Sequence, residues 1–522
     1  MSIKNSDYFK GVFFTIPKSI DNPTTAIYSH SLWRIRFSLG ILPDKDIRMT
    51  NSIPRIIIAA LRGGSGKTVF SLGIISAWRG KGLSVAPFKK GPDFIDAGWL
   101  SLAADRPCHN LDPFLMSGKE IIHSFVSNSL ESNISLIEGN RGLFDGLDLE
   151  GCCSTAELGK LTASPVVIIA DVTMATRTIA AIIMGCQRFD PDLKISAVIL
   201  NRVAGPRQES LVRRSIEGYC GIPVLGSVPK LRGDVFPERH MGLVPHLERE
   251  QAGKAIEWAR SFVEENIDLD GLWEIAGGAG PLEKFEEPQE EDAGRVEISN
   301  PPSIGYIRDG AFWFYYPENL DRLKDLGATL VEIDSMTDSK VPDLDGLYIG
   351  GGFPEIRAKE LADNKPFRDS LRQEIGKGLP VYAECGGLIY LGEELLVEGE
   401  TFPMVGALPL RFIMDKKPQG HGYTILKVER ENPFYRPGEI IKGHEFHYSR
   451  PIILGDGEIN SVLQVQRGYG LDGRRDGLTK KNLFATYTHI HGGGNRLWGK
   501  RFFQAAVNYR ELVKKNTKMF TK

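Results

Sequence analysis

The stretch RIIIAALRGGSGKTVFSLGIISAW, residues 55–78, restricts the fold of this chain more than any other. An apolar β-run ends at Ala60, a loop of Arg62, Gly63, Gly64, Ser65, Gly66, Lys67 and Thr68 follows, and helical periodicity runs from Val69 to Arg79. Glycines let backbone N–H groups converge on phosphate oxygens with no Cβ in the way, and the helix N-terminus adds positive potential. Lys67 would neutralise β/γ-phosphate charge and the Thr68 hydroxyl suits Mg²⁺, so the segment predicts an ATP site with magnesium.

The same strand-then-helix rhythm continues through LSVAPF, ISLIEG, SPVVIIADV, ISAVILNRV and IPVLGSVP, with a long helical run at Thr176 to Phe189. Alternating β and α predicts a parallel sheet covered on both faces, here over residues 53–276. The segment 277–303 breaks the pattern with Gly, Pro and acidic side chains and reads as a solvated linker. Beyond it SIGYIRD, TLVEID, GLYIGGG and LPVYAEC predict a second α/β domain, 304–514, that becomes β-rich from about Met404 to Thr488. Residues 1–50 show little periodicity, and Met49 stands just ahead of the first strong strand, so they are expected to form a poorly ordered extension.

In a doubly wound sheet, ligands sit at the carboxyl ends of the strands. Two of those ends carry acids: FKKGPDFIDAGW with Asp93 and Asp96, and LIEGNRGLFDG with Glu138 and Asp145. Hard oxygen ligands suit Mg²⁺, and Glu138, then Asp93, are the expected metal ligands beside Thr68. A helix cap is the alternative for each of these aspartates. Asn201, at the end of VILNRV, carries an amide that could read a purine edge. The loop itself has Leu61 where the common pattern has its first glycine, and it resembles the deviant phosphate loops of the MinD and dethiobiotin synthetase superfamily, with Arg62 in place of the usual lysine.

In LPVYAECGGLIYLGEEL an apolar strand gives way to a helix at Cys385, which has Glu384 before it and Gly386 and Gly387 behind. This is an elbow that exposes a nucleophile at a helix N-terminus, where the dipole would lower a thiol pKa. A base is needed, and His489, His491, His444 and His447 are all candidates by spacing. GLYIGGGFPE supplies Gly350, Gly351 and Gly352, whose N–H groups suit an oxyanion hole. The aromatic run Phe312, Trp313, Phe314, Tyr315, Tyr316 suits either a large flat ligand or an apolar face of the core.

A formal net charge of −2 gives no broad footprint for nucleic acid or an anionic membrane, which leaves a small-molecule partner. Six cysteines without metal-ligand spacing fit a reducing cytoplasm, and no run is long enough to span a membrane.

Taken in order, the phosphate loop, PFKKGPDFID, EGNRGLFDG, RHMGLVP, RDGAFWFYYPENL, GLYIGGGFPE, YAECGGLIYL, GHEFHYS and TYTHIH resemble the cobyrinate a,c-diamide synthase family of cobalamin biosynthesis, from about residue 54 to 511. The resemblance implies a synthetase domain fused to a class I glutamine amidotransferase domain. It also implies ATP-dependent amidation of the a and c carboxylates of a cobalt corrinoid, with glutamine as nitrogen donor. Cys385 then matches the nucleophile and His489 its base. Asp93, Asp96, Glu138 and Asp145 match positions tied to phosphoryl transfer and metal binding, and Arg141 and Tyr315 are placed at the corrinoid polycarboxylate. A homo-oligomer is compatible with all of this. KKGPDFID stands where cobyric acid synthase has a KPQ-type motif, which excludes that relative. Asn140 and Arg141 stand where many members have apolar residues, which leaves hydrogenobyrinate or nickel sirohydrochlorin as alternative substrates. A MinD-like switch ATPase with a basic C-terminal helix (Lys514, Lys515, Lys518, Lys522) would leave the second domain and Cys385 unused.

Overall fold

The computed structural model describes residues 53–230, 249–282, 301–454 and 460–520. The leading extension, the RHMGLVP motif, most of the acidic linker and the side chains of the four C-terminal lysines lie outside those residues. Asn51–Lys522 form one compact unit that holds two large sheets.

The first sheet has seven strands: β1 (Arg55–Ala60), β2 (Val85–Lys90), β3 (His109–Leu111), β4 (Ile134–Glu138), β5 (Val166–Asp171), β6 (Ile195–Val203) and β7 (Val224–Pro229). They run in the order β3-β2-β4-β1-β5-β6-β7, and every pairing is parallel. β1 and β4 are buried along their whole length, as expected for strands covered on both faces. One face carries Phe70 and Ile74 of the helix Lys67–Gly80 against Ala259 and Val263 of the helix Arg249–Asn266. The other face carries Ile121, Phe125, Ile179 and Ile183. All the runs predicted as strands are strands. β3, three residues long, is an addition.

The second sheet has ten strands. Thr329–Ile333, Ser303–Ile307, Gly346–Ile349, Val381–Glu384 and Leu483–Thr486 pair in parallel, and five further strands continue antiparallel to end at His489–Ile490. Phe312–Phe314 is a short strand pairing antiparallel with Gly351–Gly352. The aromatic run thus serves mainly as core.

The two halves touch through buried polar groups. Glu318, at the start of the helix Pro317–Asp325, accepts from Ser124 at 3.3 Å and lies 3.0 Å from His109 Nδ1 and 3.5 Å from His491 Nε2. Burial alone would raise this carboxyl, but the two imidazoles hold it well below the usual range. Its folded pKa lies below the unfolded value of about 4.3, so its stabilising contribution is fully present above that value and is lost as pH falls through the folded pKa. Glu318→Ala is therefore expected to cost on the order of 3 kcal/mol at neutral pH. In urea unfolding the gap to wild type should narrow below about pH 4; a gap independent of pH would contradict this account.

Candidate active site

The phosphate loop lies at the carboxyl end of β1, in the centre of the first sheet. Gly66 has φ of 92°, and a Cβ there would come within 2.9 Å of Asn201 Nδ2, so both conformation and space require glycine. Asn201 donates to the Ser65 carbonyl at 2.8 Å. That bond braces the loop from the end of β6. Arg62 and Arg202 both donate to Asp171, at 2.6 and 2.8 Å. Burial would raise that carboxyl, but bonds from Thr173 and the two guanidinium groups hold it well below the usual range. Lys67 donates to the Arg141 carbonyl at 2.9 Å. Arg141 itself takes a left-handed φ of 51°.

Four charges meet at the ends of β2 and β4. Lys89 is buried and donates to Asp96 at 2.5 Å and Glu138 at 2.7 Å, with Asp93 3.9 Å away. Burial would lower this ammonium, but the three carboxylates hold it well above its usual value. Asp93 caps the helix Phe94–Ala104, accepting from Ile95 N and Asp96 N; burial and then Asp96 push its carboxyl up to about 7. Glu138 also accepts from the Thr68 hydroxyl at 2.9 Å, while its Oε2 is buried with no hydrogen-bond partner. Asp145 accepts from Gly142 N at 2.8 Å and so caps its own turn.

Cys385 sits at the elbow between Val381–Glu384 and the helix Gly386–Leu391, with φ of 45° and ψ of −98°. Such a backbone costs about 1–3 kcal/mol in a residue with a Cβ, and strain of this kind is concentrated at functional sites. The thiol differs from expectation in one respect: it is 3% exposed, donating to the Phe446 carbonyl at 3.7 Å. Burial, with Glu355 adding to it, pushes the thiol well above its usual range, which outweighs the dipole of a helix this short.

Of the four histidines, His489 and His444 line one cavity, their rings stacked with centroids 4.9 Å apart. His447 stacks on Tyr487 and is bonded to the Ser449 carbonyl, and His491 faces Glu318. His489 Nδ1 lies 3.4 Å from Glu384 Oε2, and that carboxylate also accepts from Tyr348 OH and Ile490 N. A Cβ on Gly351 would come within 2.2 Å of His489 Cε1, so the histidine ring lies directly on the glycine loop. Gly350 N–H is already bonded to the Tyr315 hydroxyl at 2.8 Å, which leaves Gly351 and Gly352 as the donors to consider. Tyr315 OH donates in turn to the Ile307 carbonyl. Tyr315 is therefore a brace for the glycine loop and does not line the cavity, a correction to its placement at the macrocycle; Phe314 does line it.

That cavity, 510 Å³, touches both halves: Lys90, Asp93, Arg141 and Asp145 from the first, His444, Arg467 and His489 from the second. The sequence reading missed Lys89, Asp171 and Glu384. The KK pair at the end of β2 and the Glu beside Cys385 were the available signals.

Fold and site together define a class, a phosphate-loop nucleotide-binding half joined to a glutamine amidotransferase half. Residues 56–243 match the CobQ/CobB/MinD/ParA nucleotide binding domain, and residues 303–496 match the CobB/CobQ-like glutamine amidotransferase domain. Relatives named cobyrinate a,c-diamide synthase include those of Magnetococcus marinus (41% identical, covering 86% of this chain and 96% of that one), Archaeoglobus fulgidus (41%; 87% and 98%) and Listeria innocua (39%; 84% and 96%). The chain belongs to the cobyrinate a,c-diamide synthase family.

Proposed function

We propose that this protein converts the a and c carboxylates of cobyrinate to carboxamides, spending ATP and taking nitrogen from glutamine, with residues 53–276 as synthetase and 304–514 as amidotransferase. The observation that carries this reading is the single cavity bordered at once by Asp93, Arg141 and Asp145 and by His489.

On the amidotransferase side, Cys385 Sγ adds to the glutamine amide carbon, with His489 taking the thiol proton and returning it to the leaving nitrogen. Ammonia departs, a γ-glutamyl thioester remains, and water then releases glutamate. Gly351 and Gly352 N–H groups face the oxyanion. Glu384, 3.4 Å from Nδ1, supplies negative charge beside the His489 ring. On the synthetase side, Lys67 and Arg62 hold the triphosphate while its terminal phosphoryl passes to a substrate carboxylate oxygen. Ammonia then displaces phosphate from the acyl carbon. Arg141 and Lys90 suit the negative charge of the polycarboxylate.

Mg²⁺ fits the residues present: the unpartnered Oε2 of Glu138 lies on the carboxylate that already binds the Thr68 hydroxyl. When bound it would neutralise phosphate charge, with Thr68, Glu138 and Asp93 as its holders.

The test supplies ATP, magnesium and glutamine with either cobyrinate or its metal-free analogue hydrogenobyrinate. Diamide from cobyrinate supports the reading, whereas turnover of hydrogenobyrinate alone would move the substrate to that macrocycle. Glu384→Gln keeps the side chain's shape and one acceptor oxygen but removes the charge beside His489. Glutaminase kcat should fall by roughly 10²-fold or more, with KM for glutamine little changed, and ammonia-driven amidation should persist. An unchanged kcat would remove Glu384 from this role.

A further inference from the structure

We propose that Phe94 is the positioning residue that couples the synthetase site to glutamine hydrolysis, an inference that rests on the function proposed above. Its backbone is fixed between the two carboxylates of the phosphoryl-transfer cluster. Asp93 Oδ1 accepts from Ile95 N and Asp96 N, both at 2.9 Å, and Asp96 is clamped to Lys89. The Phe94 ring, however, belongs to the other half of the molecule. It stacks on Phe314 with centroids 4.9 Å apart and planes 7° from parallel, and it meets Tyr316 at 4.5 Å. It also packs on both cavity histidines, His489 at 5.3 Å and His444 at 5.5 Å.

Phe314, the partner in that stack, lies on the strand that pairs with the glycine loop, opposite Gly351. One ring therefore rests on the base and on the strand paired with the oxyanion donors, while its own main chain is held by Asp93 and Asp96. Phosphate, metal or a corrinoid carboxylate arriving at Asp93 and Asp96 changes the forces on this helix N-terminus. A shift there moves the ring, and the ring moves His489 and the glycine loop with it. Close-packed aromatic contacts pass on such displacements because they leave no slack to absorb them. The buried, strained Cys385 suits such control, under which glutamine would be hydrolysed only once an acyl acceptor is ready. Phe94 also lines the cavity wall beside His489, where removing the ring opens space for ammonia to escape.

The experiment measures glutaminase rate with and without ATP plus cobyrinate, and glutamine hydrolysed per amide formed, in wild type, Phe94→Ala, Phe94→Tyr and Phe314→Ala. Stimulation of about tenfold or more in wild type should collapse toward none in Phe94→Ala, and glutamine spent per amide should rise above the wild-type value. Amidation driven by ammonium chloride should fall much less than the stimulation does, Phe94→Tyr should restore coupling, and Phe314→Ala should uncouple from the other side of the stack. The proposal is overturned if Phe94→Ala keeps both stimulation and stoichiometry. It is equally overturned if Phe314→Ala stays coupled while Phe94→Ala loses ammonia-driven amidation, since Phe94 would then matter only to the synthetase fold. A wild type that makes no diamide from glutamine would instead sink the underlying function.

Discussion

Cys385→Ser is expected to lose glutamine-dependent amidation by at least about 10³-fold while amidation from ammonium chloride continues near the wild-type rate. The expectation rests on position: Cys385 lies at the strained elbow, whereas the acids around Lys89 belong to the other sheet. Removing the sulfur removes the thioester and leaves the phosphoryl site intact. The hydroxyl of serine is close in size, so the 3% exposed position should accept it without a large loss of stability. Rates at several glutamine and ammonium concentrations check this directly. Equal losses with both nitrogen sources would mean that Cys385 supports the fold and does not deliver nitrogen.

The second large effect is the reverse. Lys67→Ala should remove amidation with either nitrogen source, by about 10² to 10³-fold, as expected for loss of one preorganised charge at a transferring phosphoryl group. Its ammonium already sits at the loop, bonded to the Arg141 carbonyl, and burial with the nearby Lys89 lowers its pKa. Basal glutaminase, measured without ATP, should change little because Cys385 and His489 belong to the second sheet's half. ATP-dependent amidation at wild-type rate in Lys67→Ala would show that the triphosphate binds elsewhere.

The strands were readable from residue pattern because buried parallel strands leave long apolar runs, as in RIIIAA and ISAVILNRV, and both match their observed bounds. β3 escaped because three residues are too few to show a period. The phosphate loop and the Cys385 elbow are local, and their glycines and flanking elements fall within a dozen residues of sequence. What sequence could not show is what meets across distance. Lys89 sits in a buried strand, and only the fold brings Glu138, distant in sequence, to its ammonium. Likewise Glu384 meets His489 only through the packing of the second sheet, and Phe94 reaches His489 only because the two halves pack together. Tyr315 was misplaced for a related reason. It lies just past the short strand Phe312–Phe314, and its hydroxyl meets the Ile307 carbonyl and Gly350 N–H, groups that only the fold brings to it.

The central claim is that one chain releases nitrogen at Cys385 and fixes it as amide at the phosphoryl site. The most direct measurement gives the wild-type protein cobyrinate, ATP, magnesium and glutamine labelled with ¹⁵N at the amide, together with unlabelled ammonium too dilute to support amidation by itself, and follows the product by mass spectrometry. The account predicts a diamide whose two new nitrogens both carry the label, because ammonia released at Cys385 would be consumed before it mixes with solvent. A diamide bearing mostly unlabelled nitrogen, or labelled ammonia released while cobyrinate stays unchanged, would contradict it.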